Sequence, residues 1–169
     1  MSKKNLVHIG TFGKPLGLKG DIKIDIFTSS IKSFKTLKPY LDQNGKNTWL
    51  FNFLKNYKGK LVGNLINYNS RNLIESLRGE KIYTKEKNLS KEDYKLFYLK
   101  KLINFDVKNF QNKFLGKVLR IDNFGAGDLI YLKKNNGKSY YIPMNSENIV
   151  KIDDDKKIII VNPIKGIID

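Results

Sequence analysis

Alternation of apolar and polar residues is the main pattern along the chain, and it predicts mostly β structure. The clearest example is Asp21-Ile22-Lys23-Ile24-Asp25-Ile26, in which every second side chain is apolar, as in a strand with one buried face. The pattern predicts strands over 6–12, 21–27, 48–54, 60–67, 80–84, 105–109, 114–122, 128–133, 139–143, 147–152 and 157–161. Many short strands at close spacing are typical of small barrels or sandwiches.

Two segments have a helical pattern instead. Ser70 can cap a short helix that ends at Gly79, and Ser90 and Asp93 have the spacing of a capping box with Asp in place of the usual Glu or Gln. The fold class expected is therefore mostly β, with two small β-barrels and one or two short helices. The polar stretch between the halves predicts a first domain, a linker and a second domain at 1–86, 87–94 and 95–169.

Glycine-rich segments precede two of the predicted strands. Four glycines within eleven residues lead into the strand at 21–27, and a second cluster leads into the strand at 128–133. Glycine at this density indicates tight turns or close approach of the backbone to another group. Asp128 is expected to hydrogen-bond amides of its turn, and another turn is expected at Asn135-Asn136-Gly137. The predicted structural loop residues are Gly10, Gly17, Gly20, Gly125, Gly127 and Asp128.

The net charge of +16 favours an anionic partner, although the composition weakens that inference. The chain has 29 lysines and only three arginines, a skew that indicates a coding bias toward lysine. Residues 1–85 carry 16 basic and 5 acidic side chains, whereas residues 86–169 carry 16 and 11. The first half is therefore the better candidate for contact with RNA, and the second half for contact with a protein.

The residue inventory argues against most catalytic chemistry. The chain has no cysteine and a single histidine, which excludes disulfides, thiolate nucleophiles and histidine clusters that bind metals. Gly137-Lys138-Ser139 resembles the end of a P-loop, but Leu132 occupies the position of its first glycine. No cofactor, metal or enzymatic activity is expected. Since no apolar run reaches membrane-spanning length, the expected setting is soluble and cytoplasmic.

Two groups of residues are candidates for binding. Lys14 and Lys19 lie in the first glycine-rich segment, where cations can follow a phosphate backbone. Phe97 and Tyr98 are adjacent aromatics that must point in different directions, so one is expected to pack in a core and the other to be available to a partner. The alternative is a pair that only packs between the domains.

Several motifs, in this order over some 160 residues, resemble the bacterial ribosome maturation factor RimM family. They are Ile9-Gly10, Gly17-Leu18-Lys19-Gly20-Asp21-Ile22-Lys23, Ser70-Arg71, Leu77-Arg78-Gly79-Glu80-Lys81-Ile82-Tyr83, Phe97-Tyr98, Leu115-Gly116-Lys117-Val118, Gly127-Asp128-Leu129-Ile130, Ile142-Pro143 and Asn162-Pro163 with Gly166. The chain departs from the family pattern at Leu16, often aromatic or His, in the pair Phe97-Tyr98, commonly Tyr-Tyr, and at Leu99 and Lys101, often Trp and Asp.

The resemblance implies a six-stranded barrel similar to the second domain of elongation factors, followed by a PRC-barrel. It implies a monomeric, non-catalytic factor that binds the head of the immature small ribosomal subunit, contacting small-subunit ribosomal protein nineteen and 16S rRNA. Together with the charge distribution, it suggests Lys14, Lys19, Arg71 and Arg78 for rRNA contact, and Phe97 and Tyr98 for protein contact. The alternative for Arg78 is a structural cation that hydrogen-bonds carbonyl groups at the end of a helix.

Three other hypotheses compete with this one. A general basic RNA-binding or ribosome-associated module would bind RNA without preference for the assembly state. An enzyme built on the barrel would need a nucleophile and base or a metal site that the residues do not provide. A membrane-associated PRC-type subunit is disfavoured by the missing apolar segment and by the match in the first domain.

Overall fold

The computed structural model describes residues 5–134 and 137–162 and divides the chain into two compact units, Met1–Phe97 and Tyr98–Asp169. Both are mostly β, which confirms the predicted fold class. The boundary falls within a helix, so the ranges expected from the sequence for the two domains and their linker stay predictions.

The first unit is built on one antiparallel sheet of five strands. Its elements are β1 (Leu6–Leu16), β2 (Asp21–Ile26), α1 (Ile31–Thr36), β3 (Phe51–Tyr57), β4 (Lys60–Leu65), α2 (Arg71–Glu75), β5 (Lys81–Lys85), a 3₁₀ turn (Glu86–Asn88) and the start of α3 (Lys91–Lys101). The strand order is β3-β4-β2-β1-β5. The alternating side chains of β1 and β2, such as Val7, Ile9, Ile22 and Ile24, face a core that also buries Phe34 from α1 and Ile74 from α2.

A sixth strand-like segment extends this sheet where the family resemblance implies six strands. Leu41 exchanges backbone hydrogen bonds with Tyr83 of β5, with N–O distances of 2.7 and 2.9 Å, and also forms a bridge to Thr48. An Asx turn follows Leu41, in which the Asp42 carboxylate accepts the backbone N–H groups of Asn44 and Lys46. The segment forms single bridges and not a full strand, so the regular ladder has five strands.

Gly10 lies inside β1 and not in a loop as the sequence suggests. The pairing register of β1 with β5 shifts between His8 and Gly10. A β-carbon at Gly10 would lie 3.0 Å from the Asp25 carbonyl oxygen and 3.1 Å from the Phe34 ring. Glycine is needed at this position because neighbouring chain segments approach it closely.

The second unit contains a six-stranded sheet. Its strands are β6 (Asp106–Asn109), β7 (Phe114–Asn123), β8 (Asp128–Lys133), β9 (Ser139–Pro143), β10 (Ile149–Asp153) and β11 (Ile158–Val161), in the order β10-β11-β6-β7-β8-β9. Only β11 and β6 pair in parallel; the other neighbours are antiparallel. The inward face buries residues such as Val118, Ile130, Leu132 and Ile142. The predicted turn residues Asn135 and Asn136, and Pro163 and Gly166 of the family motif, lie outside the described residues.

The described residues form three α-helices, and the sequence predicts two of them. Ser70 caps α2 as expected, since its hydroxyl accepts the backbone N–H of Leu73. The missed helix, α1, is capped in the same way by Ser30 and buries only Phe34. A six-residue helix with a single buried side chain leaves no periodic pattern, which is why the sequence does not predict it.

Candidate nucleic-acid interface

The turn between β1 and β2 has a backbone that only glycine accepts without strain. Gly17 and Gly20 have φ values of +72° and +80°, in the left-handed region. Gly17 faces open space, but a β-carbon at Gly20 would lie 2.0 Å from the carbonyl oxygen of Tyr68. The turn is therefore packed directly against the segment that leads into α2.

Hydrogen bonds from β4 fix the end of this turn. The side-chain amide of Asn64 donates to the Lys19 carbonyl oxygen at 3.1 Å and to the Asp21 carboxylate at 2.9 Å. Leu18, at the tip of the turn, is 77% exposed, and Lys19 is also exposed. An apolar and a cationic side chain are thus presented together by a backbone with little freedom.

The segment that includes α2 carries the other predicted cations beside this turn. Arg71 is the first residue of α2 and follows Tyr68 closely in sequence, while Arg78 precedes Gly79, whose backbone N–H donates to the Phe12 carbonyl oxygen at 2.8 Å. Lys14 follows Phe12 by two residues on β1. The four predicted basic residues therefore lie on two chain segments whose backbones touch at Gly20 and at Gly79. We call these four residues the basic surface: Lys14, Lys19, Arg71 and Arg78.

All four side chains of the basic surface are exposed. Arg78 makes a 3.5 Å ion pair with Glu75, with both side chains about half exposed. Such pairs contribute only about 0–1 kcal/mol to stability, so Arg78 remains available to an anion. Arg71 is the first residue of α2, and the first turn of this helix has no acidic residue. The helix dipole disfavours a cation at this end of a helix. Local stability thus gives no reason for an arginine at this position.

Phe97 and Tyr98 both contribute to packing. Phe97 packs against the core of the first unit, and Tyr98 packs against the core of the second unit. Both rings are partly buried. The expectation that one ring is buried in a core and the other is exposed to a partner is therefore not met. Close to this pair, Lys101 forms a 2.9 Å ion pair with Asp154, so the basic residue that departs from the family pattern has an acidic partner in this chain.

A buried polar cluster around Asp93 holds α3 against α1. The sequence indicates only part of this cluster. Asp93 is 3% exposed, and its carboxylate accepts the backbone N–H of Ser29 at 2.7 Å and the hydroxyl groups of Ser33 and Ser90. Burial raises the pKa of Asp93, but these hydrogen bonds outweigh it and hold the pKa below the ordinary aspartate value. The capping-box pattern indicates Asp93, but not its contact with a helix some 60 residues earlier.

The second glycine-rich turn, between β7 and β8, is organised by Asn123. The carbonyl oxygen of its side chain accepts the backbone N–H of Gly125 at 2.8 Å, and its amide donates to the Asp128 carboxylate at 2.9 Å. Gly125 and Gly127 have φ values of +98° and +112°, and a β-carbon added at either position would have no group within 4 Å. The turn needs these glycines for its backbone angles and not for close packing.

The His, Asp and Glu side chains of the described residues are dispersed. Within 5–134 and 137–162, no group of three or more His, Cys, Asp or Glu side chains is placed to hold a metal ion. His8 is half-buried in β1, and its Nε2 hydrogen-bonds the Thr11 hydroxyl at 3.0 Å. In the same part of the chain, no helix is long and apolar enough to cross a membrane.

Family models match both units. Residues 7–89 match the model of the RimM N-terminal domain, and residues 99–167 match that of the RimM PRC barrel domain. The chain is 31% identical over 163 residues to the ribosome maturation factor RimM of Bartonella tribocorum, covering 95% of this chain and 88% of the relative. It is 31% identical over 147 residues to that of Rickettsia conorii, covering 86% and 88%.

Two solved structures are also similar. One is a 16S ribosomal RNA processing protein RimM from Pseudomonas aeruginosa, with a TM-score of 0.42 and 18% identity, covering 94% of this chain and 97% of that chain. The other is the N-terminal domain of RimM from Thermus thermophilus, with a TM-score of 0.41 and 27% identity, covering 50% and 94%.

Proposed function

Because the chain belongs to the ribosome maturation factor RimM family, we propose that it is an accessory factor for assembly of the small (30S) ribosomal subunit. It binds the head of the immature subunit in the cytoplasm as a monomer, contacts small-subunit ribosomal protein nineteen and 16S rRNA, and promotes maturation without catalysis. The observation that supports this proposal, beyond membership, is the basic surface, whose four exposed cations lie on two chain segments of the first unit that touch each other.

The basic surface suits the phosphate backbone of rRNA. Basic residues on an ordered backbone require no ordering of the main chain on binding, and each phosphate they neutralise releases a condensed counterion. Leu18, between Gly17 and Lys19, adds an exposed apolar side chain that can contact a sugar or base. We assign rRNA contact to Lys14, Lys19, Arg71 and Arg78 for these reasons.

Protein contact is assigned to Phe97, Tyr98 and the second unit. The second half of the chain is less basic than the first, which favours a protein partner over a long nucleic-acid contact. Since both rings are partly buried, the partner would contact their exposed edges, and their replacement would also disturb packing. A test of this contact therefore has to monitor folding in parallel.

The mechanism is differential binding to an assembly intermediate. A factor can shift an equilibrium only by the difference in its affinity for the two states. A tenfold preference for the immature head over the mature one corresponds to about 1.4 kcal/mol, which biases folding of the head and favours release once assembly is complete. No bond is made or broken by the factor, so rRNA processing follows indirectly from correct assembly.

Maturation of 16S rRNA in cells tests the proposal. In bacteria that lack their own factor, this chain should lower the fraction of unprocessed 16S rRNA and of unjoined small subunits. The double variant Lys14→Glu with Lys19→Glu should fail to do so at equal protein levels. Lys32→Glu with Lys46→Glu is the matched control, because it makes the same charge change at exposed positions outside the basic surface.

A general RNA-binding module gives a different result in that assay. It would leave precursor levels unchanged in the presence of the wild-type chain, and both double variants would behave alike. Either result would contradict the proposal.

A further inference from the structure

A row of three cross-strand neighbours lies on the outward face of the second unit. In the register of β7, β8 and β9, Arg120 is paired with Tyr131, and Tyr131 is paired with Tyr141. Tyr131 lies between the buried residues Ile130 and Leu132, so its side chain projects from the opposite side of the sheet. The row is therefore on the solvent side and not part of the core.

Contacts within the row hold its side chains in one arrangement. The Arg120 guanidinium lies over the Tyr131 ring, 3.8 Å from its centroid. It donates to the Asp122 carboxylate at 2.7 Å and to the Tyr141 hydroxyl at 2.9 Å, and that hydroxyl donates to Asp122 at 3.0 Å. The hydrogen bond from Arg120 keeps the pKa of Asp122 below its ordinary value. Ordering these planar groups for binding thus costs little entropy.

Phe124 extends the row at the end of β7. Its ring packs nearly perpendicular to that of Tyr141, with a centroid distance of 6.0 Å, and it is 73% exposed. A phenyl ring this exposed gains nothing from the core of its own unit. We call this set the stacking platform: Arg120, Phe124, Tyr131 and Tyr141.

The charge around the stacking platform favours an anionic ligand. The segment from Phe114 to Pro143 carries five basic and two acidic residues. Asp122 is paired with Arg120, and Lys117 is paired with Asp106 of β6 at 2.9 Å. The excess positive charge of the segment therefore comes from Lys133, Lys134 and Lys138. Arg120 is also the only arginine after Arg78 in a chain that otherwise uses lysine, and its planar cation stacks on an aromatic ring.

We propose that the stacking platform binds unpaired bases of single-stranded RNA. Bases stack on aromatic rings and on arginine planes, and unpaired bases are the usual targets of such surfaces. A protein partner would also use tyrosine and arginine, but a basic protein would meet the excess positive charge of this segment. The inference rests on the proposed function, and it deepens that function by giving the second unit an RNA ligand of its own.

Fluorescence anisotropy with the full chain and a labelled, unstructured RNA of about 12 nucleotides tests this directly. Phe124→Ala and Arg120→Lys should each raise the Kd at least about fivefold at every salt concentration. Neither changes the net charge, so the slope of log Kd against log salt should stay the same. Phe110→Ala is the matched control, because Phe110 is 68% exposed in the same unit but outside the platform. It should leave the Kd unchanged.

An RNA duplex of the same length should bind wild type and Phe124→Ala equally, since its bases are paired. Unchanged single-strand affinity in both platform variants, or an equal loss in Phe110→Ala, would overturn the inference. So would loss of binding to free ribosomal protein nineteen at unchanged RNA affinity, which would make the platform a protein surface. Failure of the proposed function would give a different result. Oligonucleotide binding would depend on the stacking platform, but the level of precursor 16S rRNA would be the same with and without the chain.

Discussion

Replacing Gly20 by alanine tests whether the turn of the basic surface is fixed by packing. A β-carbon there would lie 2.0 Å from the Tyr68 carbonyl oxygen, so one of the two backbone segments must move. Gly17→Ala is the control. Gly17 has a similar φ, +72° against +80°, but no group within 4 Å of the added carbon.

The difference between the two variants follows from these distances. An alanine at positive φ costs about 1 kcal/mol in either position. Overpacking against a backbone group typically adds about 1–3 kcal/mol, and only Gly20→Ala meets such a group. Both exchanges restrict the unfolded chain equally, so that contribution cancels. We expect about 1 kcal/mol of destabilisation for Gly17→Ala and about 3 kcal/mol for Gly20→Ala.

Urea unfolding monitored by tryptophan fluorescence measures both effects. Trp49 is the only tryptophan and packs against the core of the first unit, so it reports unfolding of the unit that contains the turn. With a slope of about 1.5 kcal/mol per molar urea, the midpoint should fall by about 0.7 M for Gly17→Ala and about 2 M for Gly20→Ala. Equal midpoints for the two variants would show that the turn does not rest against Tyr68.

Three further perturbations have defined outcomes. Asp93→Asn should destabilise the first unit by about 3 kcal/mol near pH 7, while Glu92→Gln, an exposed neighbour in the same helical turn, should change it by less than about 0.5 kcal/mol. The folded-state pKa of Asp93 lies below its unfolded value, so this stabilisation is present above the ordinary aspartate pKa and is lost as the pH falls through the folded pKa. The difference in urea midpoint between wild type and Asp93→Asn should therefore shrink as the pH is lowered. Lys14→Ala with Lys19→Ala should reduce the salt slope of RNA binding by about 0.7 per lost phosphate contact, measured by anisotropy, and an unchanged slope would remove both lysines from the interface. Phe97→Ala should lower the free energy of unfolding of the first unit by about 2 kcal/mol, measured from its urea midpoint. An unaltered midpoint would mean that the Phe97 ring does not stabilise that core.

Strand positions are predictable because alternation is a local signal. All eleven predicted strands correspond to strands in the described residues, with ends that shift by a few positions. The largest shift is in β1, predicted over 6–12 but continuing to Leu16 through an irregularity in its pairing with β2 between Phe12 and Pro15. Glycine and proline at these positions look like the start of a turn, and only pairing with β2 keeps the segment extended.

The Asp93 cluster and the stacking platform are not predicted from the sequence, because both depend on contacts between residues that are distant in sequence. The sequence predicts that Asp93 caps its own helix, yet its carboxylate also binds Ser29 and Ser33 near and on α1. The stacking platform combines Arg120 and Tyr141 from different strands, so no short window of sequence contains it. Its one sequence signal is an isolated arginine in a chain that strongly favours lysine.

The most direct test of the central claim is co-sedimentation of the purified chain with mature and immature small subunits across a salt series. The chain should stay bound to immature subunits at salt concentrations that release it from mature ones, and it should be absent from whole ribosomes. Lys14→Glu with Lys19→Glu should lower retention on immature subunits toward the mature level. Equal retention on both particles, lost at the same modest salt concentration, would show that the chain has no preference for the immature subunit and is a basic RNA-binding module.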